Sequence, residues 1–348
     1  MIIAFQLRLL DGIEDLLKIS IPELEQYNKQ LSADIKIFRQ YKRGSSIVVA
    51  RNVSGSIVEA IMDYYRMITH HDLIKYNTML SFFKRNKDVM LRIFKLTGFL
   101  DSMTAAASYR DMVAYYCIPK LYQDKRNPHL SVINVYHPLI NDPIANSITE
   151  DKCTLLTGSN ASGKSTFIKS LAINQILSQT IYTSLSQEFK SSYFVIYSSM
   201  ALKDNILSNE SYFIVEIKSL KRILDNSRGK YPILCFVDEV LRGTNTLERI
   251  AASSRILASL TKENALCFAA THDIELTYIL EKHYSNYHFR ERIEGNQVLF
   301  DYKLYKGRAV SKNAIKLLNL LGYSKDIISD AEAAADEYMK TGEWSFVE

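Results

Sequence analysis

The sequence has little glycine and little proline, with 12 and 6 residues respectively in a chain of 348. Collagen-like and low-complexity chains are rich in these residues, so both classes are excluded and long helices are favoured. Apolar residues make up 47% of the chain and charged residues 23%, which is the balance of a globular protein rather than a disordered one. The length is sufficient for two domains.

Features of membrane-spanning and exported proteins are also missing. The longest apolar runs, such as residues 265–270, are far shorter than the ~18 residues that cross a bilayer, and the first residues do not resemble a signal peptide. The cysteines are far apart and form no CxxC pair, which favours buried thiols in a reducing compartment; they are Cys117, Cys153, Cys235 and Cys267. We therefore expect a cytoplasmic protein with no membrane segment.

The net charge of +5 is unevenly distributed along the chain. Residues 1–130 carry 19 basic and 13 acidic side chains, whereas the remaining residues carry 24 and 25. A basic excess of this kind is typical of a surface that binds nucleic acid, and it also occurs on an ordinary solvated helical surface. The composition leaves both interpretations of the N-terminal region open.

The pattern of apolar residues changes near residue 128. Residues 1–118 show apolar side chains at helical spacing, with Gly98 predicted to end one helix and Asp101 to begin the next. Later in the chain, apolar strand-like runs alternate with helical patterns, which predicts a mostly parallel sheet covered by helices.

The predicted elements of this second region follow from these patterns. The strands are predicted at Leu130–Tyr136, Cys153–Leu156, Tyr193–Tyr197, Ile233–Val237 and Leu266–Ala270. The helices are predicted near residues 164–182, 210–226, 246–260 and 273–283. A hairpin around Glu294–Asn296 and helices over Ser311–Leu321 and Ser324–Tyr338 are predicted to follow.

Residues 158–166 fit the pattern GxxxxGK[ST], with an apolar run before them and a helical run after them. In that context the loop N–H groups and the helix N-terminus bind phosphates, Lys164 reaches the β and γ oxygens, and Ser165 ligates Mg²⁺. A glycine-rich turn that binds no nucleotide is the simpler alternative. The nucleotide-binding residues predicted here are Gly158, Ser159, Asn160, Ala161, Ser162, Gly163, Lys164, Ser165 and Thr166.

A second apolar run, residues 231–237, is followed by the adjacent carboxylates Asp238 and Glu239. Successive side chains of a strand point in opposite directions, so the two acids can hold different roles. Asp238 suits the coordination sphere of Mg²⁺, and Glu239 suits a base that orients the attacking water. Paired acids in a helix-capping loop are the structural alternative.

A third apolar run ends in Thr271, His272 and Asp273. If this strand lies beside the other two, the imidazole of His272 lies near the γ-phosphate and serves as its contact. A histidine at such a place is more often structural when no phosphate loop accompanies it. The other histidines show no metal-ligand spacing with acids or cysteines.

Four segments in order resemble the ATPase domain of the MutS mismatch-repair family, which belongs to the ABC-type P-loop ATPases. They are the phosphate loop, Ser211–Ile217, Val237–Thr246 and Ala270–Leu276. The family typically shows TGPNxxGKST, STFxxEM, DExGRGTST and ATHxxEL at these successive places. The resemblance covers about residues 130–340.

The resemblance implies roles for the matching residues. Lys164, Glu239 and His272 are implied as the catalytic groups, and Ser165 and Asp238 as the Mg²⁺ ligands. Ser211 is implied to reach the ATP of a partner chain, although Glu210 and Tyr212 beside it depart from the family pattern. Residues 242–246 are implied to couple the two sites, and Ile144 to pack on the adenine.

The resemblance also implies the organisation of the chain. Residues 129–308 are expected to form an α/β P-loop ABC-type ATPase domain with a mostly parallel sheet. An all-α core/lever-like domain, residues 1–128, is expected before it, and a C-terminal helix-turn-helix, residues 309–348, is expected to hold a homodimer. The family's mismatch-recognition domain, with its Phe-x-Glu wedge, and its connector domain are not found, so a short or truncated member is expected.

The function implied is ATP binding and hydrolysis with Mg²⁺ at composite sites of the homodimer. This activity is expected to be coupled to DNA binding through the helical N-terminal region, in mismatch repair or a related DNA transaction. A second interpretation is a MutS-related ATPase that remodels a ribosome, a structured RNA or a membrane-associated assembly. A third is an idle ATP-binding scaffold, against which the intact Glu239 argues.

Overall fold

The computed structural model describes residues 2–42, 64, 68–123, 127–200, 212–242, 244–294, 297–309, 315, 318 and 322–344. The chain divides into two compact units, Met1–Tyr109 and Arg110–Glu348. Among the described residues, no helix combines the length and the apolar character needed to cross a membrane.

The regular secondary structure described in the first unit is entirely helical. These are α1 (Ile2–Leu16), a 3-10 turn at Pro22–Leu24, α2 (Glu25–Lys42), α3 (His71–Arg85) and α4 (Lys87–Met112), which extends into the second unit. Their apolar stripes meet in one core because side chains three and four residues apart share a helix face. The buried residues of this core are Leu7, Leu10, Ile13, Leu31, Ile35, Phe38, Met79, Met90 and Ile93.

The helix end predicted at Gly98 is wrong, because α4 continues through it without a break. Gly98 does not adopt the left-handed φ that ends a helix, and its carbonyl accepts the hydroxyl of Ser102 at 2.7 Å. Asp101 likewise lies inside the helix rather than at its start. Buried residues on both sides of Gly98, Ile93 and Ala106, favour a continuous helix over the local signal of a single glycine.

The second unit contains two sheets. A four-stranded sheet has the order β1-β5-β2-β3, with β1 (Lys120–Tyr122), β2 (Leu130–Val135), β3 (Asn146–Glu150) and β5 (Glu188–Ser192). A six-stranded sheet has the order β10-β9-β4-β8-β7-β6, with β4 (Thr154–Thr157), β6 (Val195–Ser199), β7 (Ile233–Asp238), β8 (Ala265–Ala270), β9 (Ser285–Glu294) and β10 (Gln297–Lys306). All pairs of the larger sheet are parallel except β9 with β10. The prediction of a mixed α/β fold with a mostly parallel sheet is confirmed.

Helices cover both faces of the larger sheet. Helix α5 (Lys164–Ile181) packs its Phe167, Ile168 and Leu171 into a core that both sheets share. The opposite face is covered by α6 (Tyr212–Ser227), α7 (Thr246–Leu260) and α8 (Ile274–Ile279). Alternate residues of β7 enter the two cores, with Phe236 on one side and Cys235 on the other. A strand buried on both faces explains why its sequence is continuously apolar.

Several predicted boundaries need correction. The strand predicted at Tyr193–Tyr197 lies at Val195–Ser199, and the helix predicted to reach residue 283 ends at Ile279. Strands β1, β3 and β5 were not predicted, because they are short and lack a continuous apolar run. The two hairpin strands are present, and α9 (Lys325–Thr341) covers most of the last predicted helix. Most of Ser311–Leu321 lies outside the described residues.

Candidate functional site

Three neighbouring parallel strands bring the predicted site residues to one edge of the larger sheet. Strand β8 lies between β4 and β7, with Ala270 opposite both Leu156 and Asp238. Two backbone hydrogen bonds continue beyond the strand ends, from Glu239 N to Ala270 O at 3.0 Å and from Thr271 N to Leu156 O at 2.9 Å. The loops that follow these strands therefore meet, although they are far apart in the sequence.

The phosphate loop has a backbone that requires glycine at two places. Gly158 has φ +145°, and a Cβ there would lie 2.8 Å from the carbonyl oxygen of Phe289 and from Ser162 Oγ. Gly163 has φ +111° and caps α5, whose first residue is Lys164. Ser162 Oγ is buried and has no hydrogen-bond partner within the described part of the chain. A close backbone turn with an unsatisfied buried hydroxyl fits a loop that encloses a phosphate.

Lys164 is a buried cation whose ammonium contacts neutral groups. Its side chain is 5% exposed, and Nζ donates to the carbonyl oxygens of Gly158 and Ser159, both at 2.8 Å. Burial lowers the pKa of Lys164, against the opposing charges of Glu239, Asp238 and Glu291. A buried ammonium that is partly desolvated is prepared to bind an anion, because an anion would offset its lost hydration.

Glu239 lies between two nitrogen donors. Its Oε2 lies 2.9 Å from Arg242 Nε, and its Oε1 lies 3.0 Å from His272 Nε2. The same imidazole nitrogen lies 3.4 Å from Lys164 Nζ. Burial lowers the pKa of His272, and the nearby Lys164 lowers it further. The imidazole is therefore neutral near pH 7 and donates its Nε2–H to the carboxylate.

Asp238 and Ser165 are the residues that the sequence analysis expects to bind a magnesium ion. Asp238 is half-buried at the end of β7 and its charge acts on Lys164, while Ser165 is half-buried in the first turn of α5. No group of three or more metal-ligating side chains occurs among the residues that the structure describes. Mg²⁺ at nucleotide sites uses one or two protein oxygens together with phosphate and water oxygens, so this pair fits.

A cavity of about 380 Å³ opens beside the phosphate loop. Its wall includes Ile144, which is 46% exposed, together with Gly163 and Thr166. Tyr302 forms another part of the wall, and its ring would lie 3.3 Å from a Cβ at Gly163. The volume and the mixed apolar and polar lining suit a small-molecule site. Ile144 thus shares a cavity wall with two residues of the phosphate loop, and its packing on an adenine stays a prediction.

Sequence reasoning missed Tyr302 and Asn146, which belong to this wall. The side chain of Asn146 accepts from Leu304 N at 2.7 Å and donates to Tyr302 O at 2.9 Å, so it holds β10 against β3. Tyr302 has φ +52°. Neither residue belongs to a local motif, and their contacts join positions about 156 residues apart, so no pattern along the chain could identify them.

Part of the predicted site lies outside the described residues. Ser211, Glu210 and Gly243 are not described, and nothing in the structure bears on their placement. Within residues 242–246, Arg242 pairs with Glu239, and Asn245 caps α7 by accepting from Leu247 N at 2.9 Å. The structure thus brings together the phosphate loop, Asp238, Glu239 and His272.

Comparison with known proteins identifies the family. The family model described as MutS domain V matches residues 154–339. The DNA mismatch repair protein MSH3 of Debaryomyces hansenii is 28% identical over 296 residues, covering 77% of this chain and 28% of that protein. MutS protein homolog 4 of Homo sapiens is 33% identical over 222 residues, covering 58% and 23%. The DNA mismatch repair protein MutS of Thermotoga maritima is 27% identical over 259 residues, covering 71% and 32%.

These matches span about a quarter to a third of the length of the curated relatives. The matched segment contains the phosphate loop, both carboxylates and the histidine whose convergence is described above. The family model also covers more than half of the chain. The chain belongs to the MutS family, with domain V of that family at residues 154–339.

Proposed function

We propose that this chain is an ATP hydrolase of the MutS type that binds ATP with Mg²⁺. The observation that carries the proposal is the convergence of Lys164, Glu239 and His272, linked by distances of 3.0 and 3.4 Å, beside a glycine-dependent phosphate loop. The names of the curated relatives, which are mismatch repair proteins, support the same assignment.

Each residue has a role that its surroundings support. The loop N–H groups and Lys164 bind the β and γ oxygens, and the ammonium exchanges its carbonyl partners for phosphate oxygens. Ser165 and Asp238 hold Mg²⁺, which neutralises charge that develops on the phosphates. Glu239 orients the attacking water, and the Nε2–H of neutral His272, which donates to Glu239 in the nucleotide-free site, turns to a γ-phosphate oxygen when ATP is bound.

The cavity beside the loop is the proposed site for the nucleoside. Ile144 and Tyr302 offer an apolar and an aromatic surface to the base, and Gly163 leaves room for the close approach of the sugar and phosphates. Aromatic and aliphatic faces are what a purine ring packs against. Gly163 and Thr166 belong both to the cavity wall and to the phosphate loop, so a nucleoside in the cavity would adjoin the loop.

The wider assembly is also a proposal. Two chains form a homodimer in which Ser211 of one chain acts at the phosphate loop of the other, and residues 309–348 form the dimerisation segment. Helix α9 supports this, because it has no fully buried residue among those described and Ile327 is 51% exposed. The helical core/lever-like domain, residues 1–128, binds DNA, which its excess of basic residues supports.

Measurement of ATP hydrolysis with purified protein tests the enzymatic proposal. Wild-type protein is expected to hydrolyse ATP only with Mg²⁺, and Glu239→Gln to bind ATP but turn over about 100-fold more slowly, since water orientation is lost. Lys164→Ala is expected to lose ATP binding, because the charge-assisted hydrogen bonds to the phosphates are lost. Lys152→Ala, an exposed change in the loop before β4, is the control and is expected to behave as wild type. Undiminished turnover by Glu239→Gln would contradict the assignment of the base.

A gel shift with homoduplex, mismatched and branched DNA, alongside structured RNA, tests the coupling to DNA. DNA binding is expected to weaken steeply with salt, because it depends on phosphate contacts. ATP is expected to change the affinity for DNA in wild-type protein and not in Lys164→Ala. Tight binding of structured RNA with no affinity for any DNA would overturn the DNA proposal and favour an RNA- or ribosome-remodelling ATPase.

A further inference from the structure

Glu216 is a buried acid that the roles assigned so far do not use. It lies in the second turn of α6 and is 2% exposed. Its Oε1 accepts the backbone N–H of Leu241, while its Oε2 has no hydrogen-bond partner among the residues described. Burial raises the pKa of Glu216 to about 7, against the effect of the N–H groups of Leu241 and Arg242. A buried carboxyl with half of its acceptor capacity unused costs stability, so packing alone does not explain it.

The backbone that Glu216 contacts adopts an unusual conformation. Glu239 has φ +57° and Leu241 has φ +58°, and neither residue is glycine. A left-handed conformation is unfavourable for a residue that carries a Cβ, so the surrounding structure must hold the loop in place. Leu241 stands where the family pattern DExGRGTST has glycine, and its side chain is 4% exposed in the core. The side chain of Leu241 is buried in the core, and the Val240–Leu241 peptide is bonded at both ends: its N–H donates to Glu216, and its carbonyl oxygen accepts from Ser253 Oγ at 3.3 Å.

The same loop determines where the carboxylate of Glu239 points. Leu241 lies between Glu239 and Arg242, which contact each other at 2.9 Å. A rotation of the peptide at Leu241 would move Arg242 and release Glu239 from its position between Arg242 and His272. Two buried side chains from other elements oppose this rotation, Glu216 of α6 at the N–H of the peptide and Ser253 of α7 at its carbonyl oxygen, and of these Glu216 is the ionisable group.

We infer that Glu216 is a positioning residue, which holds residues 239–242 so that Glu239 faces Lys164 and His272. The hydrogen bond described for Glu216 goes to the backbone of Leu241 and not to a residue of the proposed nucleotide site, so Glu216 acts through the loop. This inference rests on the proposed ATPase function.

The first test compares Glu216→Ala with Glu216→Gln. The glutamine keeps an oxygen at the place of Oε1 and is expected to retain kcat within about twofold, whereas Glu216→Ala is expected to lose about 10- to 100-fold in kcat, because small misplacements of catalytic groups have effects of this size. The Kd for ATP is expected to change less than about twofold in both, since the phosphate loop is untouched. Asp225→Ala, an exposed acid on the same helix paired with Lys221, is the matched control and is expected to behave as wild type.

The second test does not depend on hydrolysis. Hydrogen exchange of the Leu241 amide in nucleotide-free protein is expected to accelerate about tenfold or more in Glu216→Ala and to stay slow in Glu216→Gln, because only the alanine removes the acceptor. Exchange of the Phe236 amide in the central strand β7 is the internal reference, and it is expected not to change.

The outcomes separate this inference from the proposed function. Wild-type kcat in Glu216→Ala, an equal loss in Glu216→Gln, or unchanged exchange at Leu241 would each overturn the positioning role. Wild-type protein that hydrolyses no ATP would overturn the proposed function, and the exchange at Leu241 would still decide whether Glu216 holds the loop.

Discussion

Arg249 holds Asp273 through two parallel hydrogen bonds, with Nε 2.9 Å from Oδ2 and Nη2 2.6 Å from Oδ1. Arg249 lies on α7, and Asp273 directly follows His272 and precedes α8. The N–H of Asp273 donates to Thr271 Oγ1 at 3.0 Å, so the turn that carries the imidazole is held at both ends. Both side chains of the pair are largely buried, with 24% and 11% exposed. A bidentate pair of this kind fixes direction as well as distance.

Removal of either partner of this pair is expected to destabilise the second unit and to slow hydrolysis. In a double-mutant cycle of Arg249→Ala and Asp273→Ala, we expect a coupling of about 1–3 kcal/mol in the free energy of unfolding, because the pair is bidentate and partly desolvated. The exposed pair Lys221–Asp225, with 73% and 61% of the side chains exposed, is the control and should give a coupling below about 1 kcal/mol. Urea denaturation of the four proteins of each cycle measures both values, and equal coupling in the two pairs would refute the expectation.

At position 241, a glycine variant is expected to be more stable than an alanine variant, which is the reverse of the usual order of stability. Both Leu241→Gly and Leu241→Ala should be less stable than wild type because a buried side chain is lost. At φ +58° alanine is strained and glycine is not, so Leu241→Gly should be the more stable of the two by about 0.5–1 kcal/mol. At Leu257, which is also buried but lies within α7, glycine should be the less stable by about 1 kcal/mol. The same order at both positions would contradict the backbone assignment at Leu241.

Glu216 makes the stability of the folded chain depend on pH. Its pKa is raised from 4.5 to about 7 on folding, so the folded state holds this proton more tightly than the unfolded state. The contribution of the protonated carboxyl to the free energy of unfolding is fully present below pH 4.5 and is lost as the pH rises through 7. Glu216→Gln carries no titrating group at this position. Its free energy of unfolding should therefore rise relative to that of wild type by about 1–3 kcal/mol between these two pH values, with no further rise at higher pH.

The measurement is the free energy of unfolding of both proteins from pH 4 to pH 9. Asp225→Asn, a change at an exposed acid of the same helix, serves as the control and should show a difference from wild type that varies by less than about 0.5 kcal/mol. A gap between Glu216→Gln and wild type that does not vary with pH would show that the carboxyl is not buried as described.

If each active site combines residues of two chains, mixing two inactive variants is expected to restore ATP hydrolysis. Lys164→Ala and Ser211→Arg should each be inactive as homodimers, because every site contains one damaged element. In a mixed dimer, one site carries both defects and the other carries neither. Random exchange makes about half of the dimers mixed, so about a quarter of the wild-type sites should return.

This expectation is checked by ATPase assays after subunit exchange, with exchange itself followed by labels on the two chains. Mixing Lys164→Ala with Glu239→Gln is the control, since the phosphate loop and Glu239 belong to the same chain's site. That mixture should restore nothing, because every site then keeps one defect. Confirmed exchange without any recovery in the first mixture would show that Ser211 does not act across the dimer.

The local sequence was sufficient to identify the proposed catalytic groups. Glycines at 158 and 163 are needed for a loop whose backbone has positive φ. Asp238 ends an apolar strand that the sequence marks clearly, and Glu239 and His272 lie just after such strands. Parallel strands end at the same edge of a sheet, so their terminal residues could be expected to meet. The helical periodicity of residues 2–42 likewise followed from local spacing.

Features that depend on contacts between segments far apart in the sequence could be learned only from the tertiary structure. It continued α4 through Gly98, paired the short strands β1, β3 and β5, and placed Tyr302 in the wall of the cavity. It also showed that Leu241 adopts a left-handed conformation with its N–H on Glu216. A sequence pattern reports the preference of a segment for helix or strand, whereas these features depend on which buried partners are within reach once the chain has folded. These features are determined by how the two sheets and their helices pack together, so the sequence of a single segment could not predict them.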